Sequence, residues 1–275
     1  MSTEAKISER PRVLVSNDDG YRAEGLRALV EALGSWAEVF VVAPDRERSG
    51  SGHAITLDRP LRLRPLDQAP APGQWHLVDG TPTDCVNLGL HVLFGEQAPD
   101  IVVSGINHGV NLGSDVTYSG TVGGALEACN YDVPAVALSQ RTDGAFDFDA
   151  TAAVASSLVQ GLVEISERRP EQAPTLLNVN FPTGPLGDFV VTRLGKRSYR
   201  DAVATRNDPR GREYYWISGS PDWSGGDGTD VDAIQRGLIS VTPLTDDMTA
   251  RDELDRARET LEAARSPRPS SVDEG

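Results

Sequence analysis

Cysteine is scarce in this 275-residue chain: only Cys85 and Cys129 occur, both in segments patterned as helices, which argues against a disulfide framework. The four histidines are scattered and supply no zinc-ligand spacing with those cysteines. Basic side chains are in deficit, 26 Lys and Arg against 41 Asp and Glu, and a formal charge of −15 argues against general nucleic-acid or anionic-membrane binding. No apolar run approaches the roughly 18 residues that a membrane span requires. The stretch from Met1 to Arg12 carries Glu4, Lys6, Glu9, Arg10 and Arg12 without an apolar core of signal-peptide length. These absences lead to the expectation of a cytoplasmic protein with no membrane partner. The glycine patterns of P-loop and dinucleotide sites are missing as well, which lowers the weight of kinase, GTPase and nicotinamide chemistry.

What is present is a repeating rhythm of short β-rich apolar run, polar loop and helix-period segment. Val13-Leu14-Val15 is the first strand candidate and ends in Ser16-Asn17-Asp18-Asp19-Gly20, after which Leu26, Leu29, Val30 and Leu33 share a helix face. Val39 to Ala43, Trp75 to Val78, Ile101 to Val103 and Ala135 to Leu138 repeat the strand pattern. Thr81-Pro82-Thr83-Asp84 is a helix start with a capping residue, a first-turn proline and an acid three residues past the cap. A further helix opens near Gly120 or Thr121, and another covers Asp149 to Ile165. Apolar strands alternating with helices predict a mostly parallel sheet covered on both faces, with its ligand crevice at the carboxyl ends of the strands.

The second half changes character. Leu176 to Phe181 and Ile239 to Thr242 read as strands returning to the main sheet, while Val190-Val191 and Tyr214 to Ile217 suggest antiparallel strands between turns. The organisation expected is a main core over 11–183, a hairpin extension over 184–232 that serves self-association or is a solvent-facing hairpin whose aromatics cover the parent core, and a return strand and loop over 233–247. A helix over 248–265, capped by Thr249, and a disordered tail over 266–275 complete it.

The loops carry the chemistry. Asp18 and Asp19 stand together at the end of a buried strand, where a divalent cation relieves their repulsion; a surface Asx-type turn is the alternative. Oxygen ligands suit Mg²⁺ or Mn²⁺. Arg46 to Gly52 offers backbone N–H groups and the Ser49 hydroxyl, or serves as a plain turn. Asn107 supplies a neutral carbonyl oxygen, and Ser119, Gly120 and Thr121 precede a helix whose positive end favours phosphate, although an ordinary N-cap explains the hydroxyls equally well. These residues alone leave three readings open: a phosphate-transferring enzyme, a nucleotide or phosphate sensor without turnover, and a scaffold in which metal merely ties loops together.

The ordered set Val13 to Gly20, Ala43 to Gly50, Gly80 to Val86, Ser104 to Gly113, Tyr118 to Val122, Asn178 to Pro182 and Ser240 to Leu244 resembles the SurE family of metal-dependent nucleotidases, over roughly residues 11 to 247. The resemblance implies a three-layer α/β/α fold with a mostly parallel Rossmann-like sheet and a carboxyl-side β-hairpin extension exchanged between subunits of a homodimer or homotetramer. It implies one divalent cation per subunit, Mg²⁺ or Mn²⁺, held by Asp18, Asp19, Ser49 and Asn107. The implied activity is hydrolysis of nucleoside 5′-monophosphates, with some action on 3′-monophosphates and short polyphosphate. In the mechanism expected, water attacks the phosphoryl group in line, Asp18, Asp19 and Asn107 are catalytic, and Asn111, Ser119, Gly120 and Thr121 receive the phosphate. His53 and His108 are given no proton-transfer role.

Overall fold

In the computed structural model, residues 10–169, 172, 175–200, 203–217 and 220–265 are described. The core strands are β1 (Arg12–Ser16), β2 (Glu38–Pro44), β3 (Leu63–Pro65), β4 (Gln74–Val78), β5 (Ile101–His108), β6 (Ala135–Gln140) and β7 (Leu176–Phe181). They are separated by helices α1 (Glu24–Leu33), α2 (Pro82–Leu88), α3 (Gly120–Cys129) and α4 (Phe148–Arg168). Beyond them come β8 (Phe189–Val191), β9 (Lys196–Arg200), β10 (Val203–Asn207), β11 (Glu213–Ile217), β12 (Ser220–Ser224), α5 (Asp230–Gln235), β13 (Ile239–Leu244) and α6 (Leu254–Arg265).

One sheet runs in the order β3-β4-β2-β1-β5-β6-β7-β13-β8. From β4 to β7 every neighbouring pair is parallel; β3 and β13 join antiparallel. Strand period sends Val13 and Val15 to one face with Leu26, Leu29 and Val159 from α1 and α4, and Leu14 to the other with Val86 and Val122 from α2 and α3. With both faces covered, the central strands are apolar throughout, which is why they read so clearly in the sequence. Thr81 and Asp84 close a reciprocal capping box at the start of α2, worth on the order of 1 kcal/mol. The chain leaves β1 toward β2 on one side and returns to β5 on the other, so the gap between the ends of β1 and β5 is the topological switch point.

The carboxyl-side extension consists of two antiparallel ladders, β9 with β12 and β10 with β11. Two features differ from the sequence reading. Val190 and Val191 belong to β8, which pairs parallel with β13 at the sheet edge and not as an antiparallel hairpin strand. Thr249 does not cap the terminal helix: a 3₁₀ turn over Arg251–Glu253 leads into α6, and the Asp247 carboxylate accepts from the Thr249 backbone N–H. The residue before that 3₁₀ turn is Ala250, which offers no side-chain cap, so the Thr249 segment is held by a local turn and not by a helix cap. The chain divides into two compact units, the first ending at Leu244 and the second, containing α6, beginning at Thr245. The tail expected over 266–275 lies outside the described residues.

Candidate active site

Asp18 and Asp19 follow β1 after the single residue Asn17, at the switch point. Asp18 is 4% exposed, and its Oδ1 accepts from Thr121 Oγ1 at 2.6 Å. Burial pushes its carboxyl up to about 6, with the Asp19 charge adding to the rise and the Thr121 hydrogen bond opposing it. Asp19 Oδ2 accepts from the backbone N–H of His108 at 3.0 Å; its pKa is also raised, first by burial and further by the charge of Glu47. A buried acid beside a half-buried one in this state leaves a deficit of positive charge, the condition that a bound cation removes.

The loop after β2 is fastened to the aspartates through the main chain. Arg48 N–H donates to the Asp18 carbonyl at 2.7 Å. Gly20 makes the approach possible: it has φ +91°, and a Cβ there would stand 3.0 Å from the Arg46 carbonyl carbon. Ser49 thereby lines the same cleft as Asp19, with its Oγ donating to Glu47 Oε1 at 2.9 Å. Further along, His53 Nε2 meets Glu127 Oε2 at 2.7 Å, and Glu127 Oε1 accepts from Asn87 at 2.8 Å. Burial works to raise the Glu127 carboxyl, but His53, Asn87 and Asn130 together hold it below its ordinary value.

At the end of β5 the pairing with β6 slips between Ser104 and Asn107, an irregularity of the kind that re-aims a side chain. Asn107 Nδ2 donates to the Gly109 carbonyl at 2.8 Å, leaving Oδ1 as the atom for an incoming group. The first turn of α3 abuts Asp18: a Cβ on Gly120 would lie 2.9 Å from Asp18 Cβ and 2.6 Å from Ser51 Oγ. That Ser51 hydroxyl is buried and has no partner among the described residues.

The crevice therefore gathers Asp18, Asp19, Ser49, Gly120 and Thr121, with Asn107 on the adjacent strand end. Not every expected phosphate contact is presented freely. Ser119 Oγ caps α3 by accepting from Val122 N–H at 3.1 Å, and Thr121 spends its hydroxyl on Asp18. Asn111 is nearly buried, and its Nδ2 donates to Ser139 Oγ at 2.8 Å. Its backbone is clamped by Asn180 Oδ1 at 2.8 Å and by the Asn178 and Asn180 amides on its carbonyl. Sequence reasoning gave no role to these two asparagines, although two amides alternating in an apolar strand share one face and require polar partners. Glu47 and Glu127 also escaped it; Glu127 was legible only as an acid inside an apolar helix.

The fold and this crevice define a doubly wound α/β protein with an acidic crevice at its switch point. The family model for survival protein SurE matches residues 13–201, and the chain belongs to that family. It is 52% identical over 242 residues to a protein of Geobacter metallireducens named 5′-nucleotidase SurE, covering 86% of this chain and 92% of that one. It is 51% identical over 236 residues to a protein of the same name from Anaeromyxobacter dehalogenans, covering 85% and 89%. The crystal structure of a SurE protein from Aquifex aeolicus superposes with a TM-score of 0.76 at 40% identity, over 92% of this chain and all of that one.

Proposed function

We propose that this chain is a divalent-metal-dependent 5′-nucleotidase that hydrolyses nucleoside 5′-monophosphates, with secondary action on 3′-monophosphates and short polyphosphate. The observation that carries the reading is the adjacent pair of acids, Asp18 buried against the first turn of α3 and Asp19 half-buried in the neighbouring cleft. Asp18, Asp19, Ser49 and Asn107 offer only oxygen donors, a set suited to one Mg²⁺ or Mn²⁺. The raised carboxyl of Asp18 and the unpartnered Ser51 hydroxyl beside it fit a site completed by a cation and its ligand. Such a cation polarises phosphate oxygens and lowers the pKa of water.

The chain's own groups do the rest. Thr121 fixes the Asp18 carboxylate through Oδ1, so that Oδ2 is the oxygen left for binding. Gly120 lets Asp18 and Ser51 close against the start of α3, so that a phosphate held beside Asp18 meets the positive end of the helix dipole, which offsets equatorial charge. Asp19, oriented by the His108 N–H, accepts a hydrogen bond from the attacking water and aligns it for displacement. Self-association through the extension is part of the same reading: Tyr215 and Trp216 are largely exposed and Ile217 is 93% exposed on β11, more apolar surface than a lone hairpin comfortably leaves in water.

The test is phosphate release from 5′- and 3′-nucleoside monophosphates before and after chelation, with Mg²⁺ and Mn²⁺ restored separately. Cation-dependent release from the 5′-monophosphates supports the proposal. Binding without release identifies a sensor, and cation-dependent folding with neither identifies a scaffold.

A further inference from the structure

The cleft that Asp19 and Ser49 line extends beyond Asp19. It encloses about 370 Å³, within the range of small-molecule sites, and continues to His108, Phe146 and Phe148. Phe148 is buried and stands edge-on to both other rings, at 5.3 Å from Phe146 and 5.9 Å from His108, while Phe146 and His108 are 5.8 Å apart. One buried ring thus props two exposed ones at the far end of the cleft. Phe146 is 38% exposed, which leaves ring surface uncovered beside a polar site.

The charges along the cleft say what kind of group extends there. Asp19, Glu24 and Glu47 line it, and among the described residues neither Lys nor Arg does. That lining disfavours a second phosphate relative to a nucleoside, consistent with polyphosphate as a secondary substrate, whereas sugar hydroxyls find acceptors in Glu24 and Glu47, and a neutral aromatic ring finds Phe146 and His108. A second cleft of about 240 Å³, beside Val110, Leu112, Arg141 and Ile234, presents no aromatic side chain among the described residues. Resting on the nucleotidase reading above, we propose that the nucleobase of the substrate stacks on Phe146 and His108. Phe146 is then the residue that separates nucleotides from base-free phosphate esters. Stacking on an aromatic platform is tolerant of base identity, so the site accepts both purines and pyrimidines and prefers the larger ring.

The experiment compares adenosine 5′-monophosphate with ribose 5-phosphate at saturating Mn²⁺ in the full chain, Phe146→Ala and Phe146→Tyr. Phe146→Ala is expected to raise KM for the nucleotide roughly 5- to 100-fold with kcat within about twofold, the span that lost base stacking implies. The ratio of kcat/KM for the two substrates collapses accordingly, and Phe146→Tyr restores it. His108→Ala moves the ratio in the same direction and keeps the backbone N–H on Asp19. An unchanged ratio in Phe146→Ala, with the wild-type chain active on the nucleotide, overturns the stacking proposal alone. A wild-type chain that hydrolyses neither ester overturns the nucleotidase reading and this proposal with it.

Discussion

Thr121 touches Asp18 at 2.6 Å and fixes which carboxylate oxygen remains available. Thr121→Val keeps the shape and removes the donor; outer partners of this kind typically contribute about 10- to 100-fold, so Mn²⁺ affinity measured calorimetrically should fall by that amount. Asp18 also sets a pH limit. Its carboxyl is held near 6 by burial, so below that value a cation must displace a proton, and apparent affinity should fall about tenfold per pH unit from 6 toward 5. Above about 7 it should be flat with respect to this group, and a Mn²⁺ titration from pH 5 to 8 reads both arms. The paired acids were legible in the sequence because adjacent aspartates ending an apolar strand are rare without a reason. The division of labour at α3 was not: the hydroxyls of Ser119 and Thr121 read equally as phosphate donors or as an ordinary N-cap, and only the fold assigns Ser119 to the cap and Thr121 to Asp18.

At the scale of elements, the loop over 45–53 is tied to the aspartates at one end by Arg48 and to α3 at the other by His53 and Glu127. Glu127→Ala strands His53 and Asn87, at a cost of about 1–3 kcal/mol. A lowered midpoint in thermal unfolding, accompanied by weaker Mn²⁺ binding through a loosened Ser49, is the expected outcome. The central strands and the helices between them were readable from apolar runs and caps such as Thr81 with Asp84. Local pattern failed where partners are remote. β3 is three residues long with only Leu63 half-buried, and β8 acquires its direction from β13, some 50 residues later, which no window around Val190 contains. The six-residue α5 escaped for a similar reason: its signal is Thr229, whose side chain accepts from Asp232 N–H, in a Gly- and Asp-rich stretch that reads as turn.

For the whole molecule, the exposed face of β11 predicts association. Tyr215 and Ile217 lie two residues apart on one side of that strand. Replacing both with Asp should lower the mass measured by light scattering toward that of a single chain without changing the circular dichroism; an unchanged mass counts against the extension as the interface. The acidic balance of the chain, −15 overall, fits small anionic substrates only if a cation mediates, since unaided Coulomb forces repel them. Cation occupancy and turnover must therefore rise together. Mn²⁺ titrated into chelator-stripped protein, with phosphate release from adenosine 5′-monophosphate followed on the same samples, tests this directly. The account predicts one ion per chain, turnover returning in step with its binding, and loss of both in Asp18→Asn. Full turnover by the stripped wild-type chain, or undiminished turnover by Asp18→Asn, would contradict it.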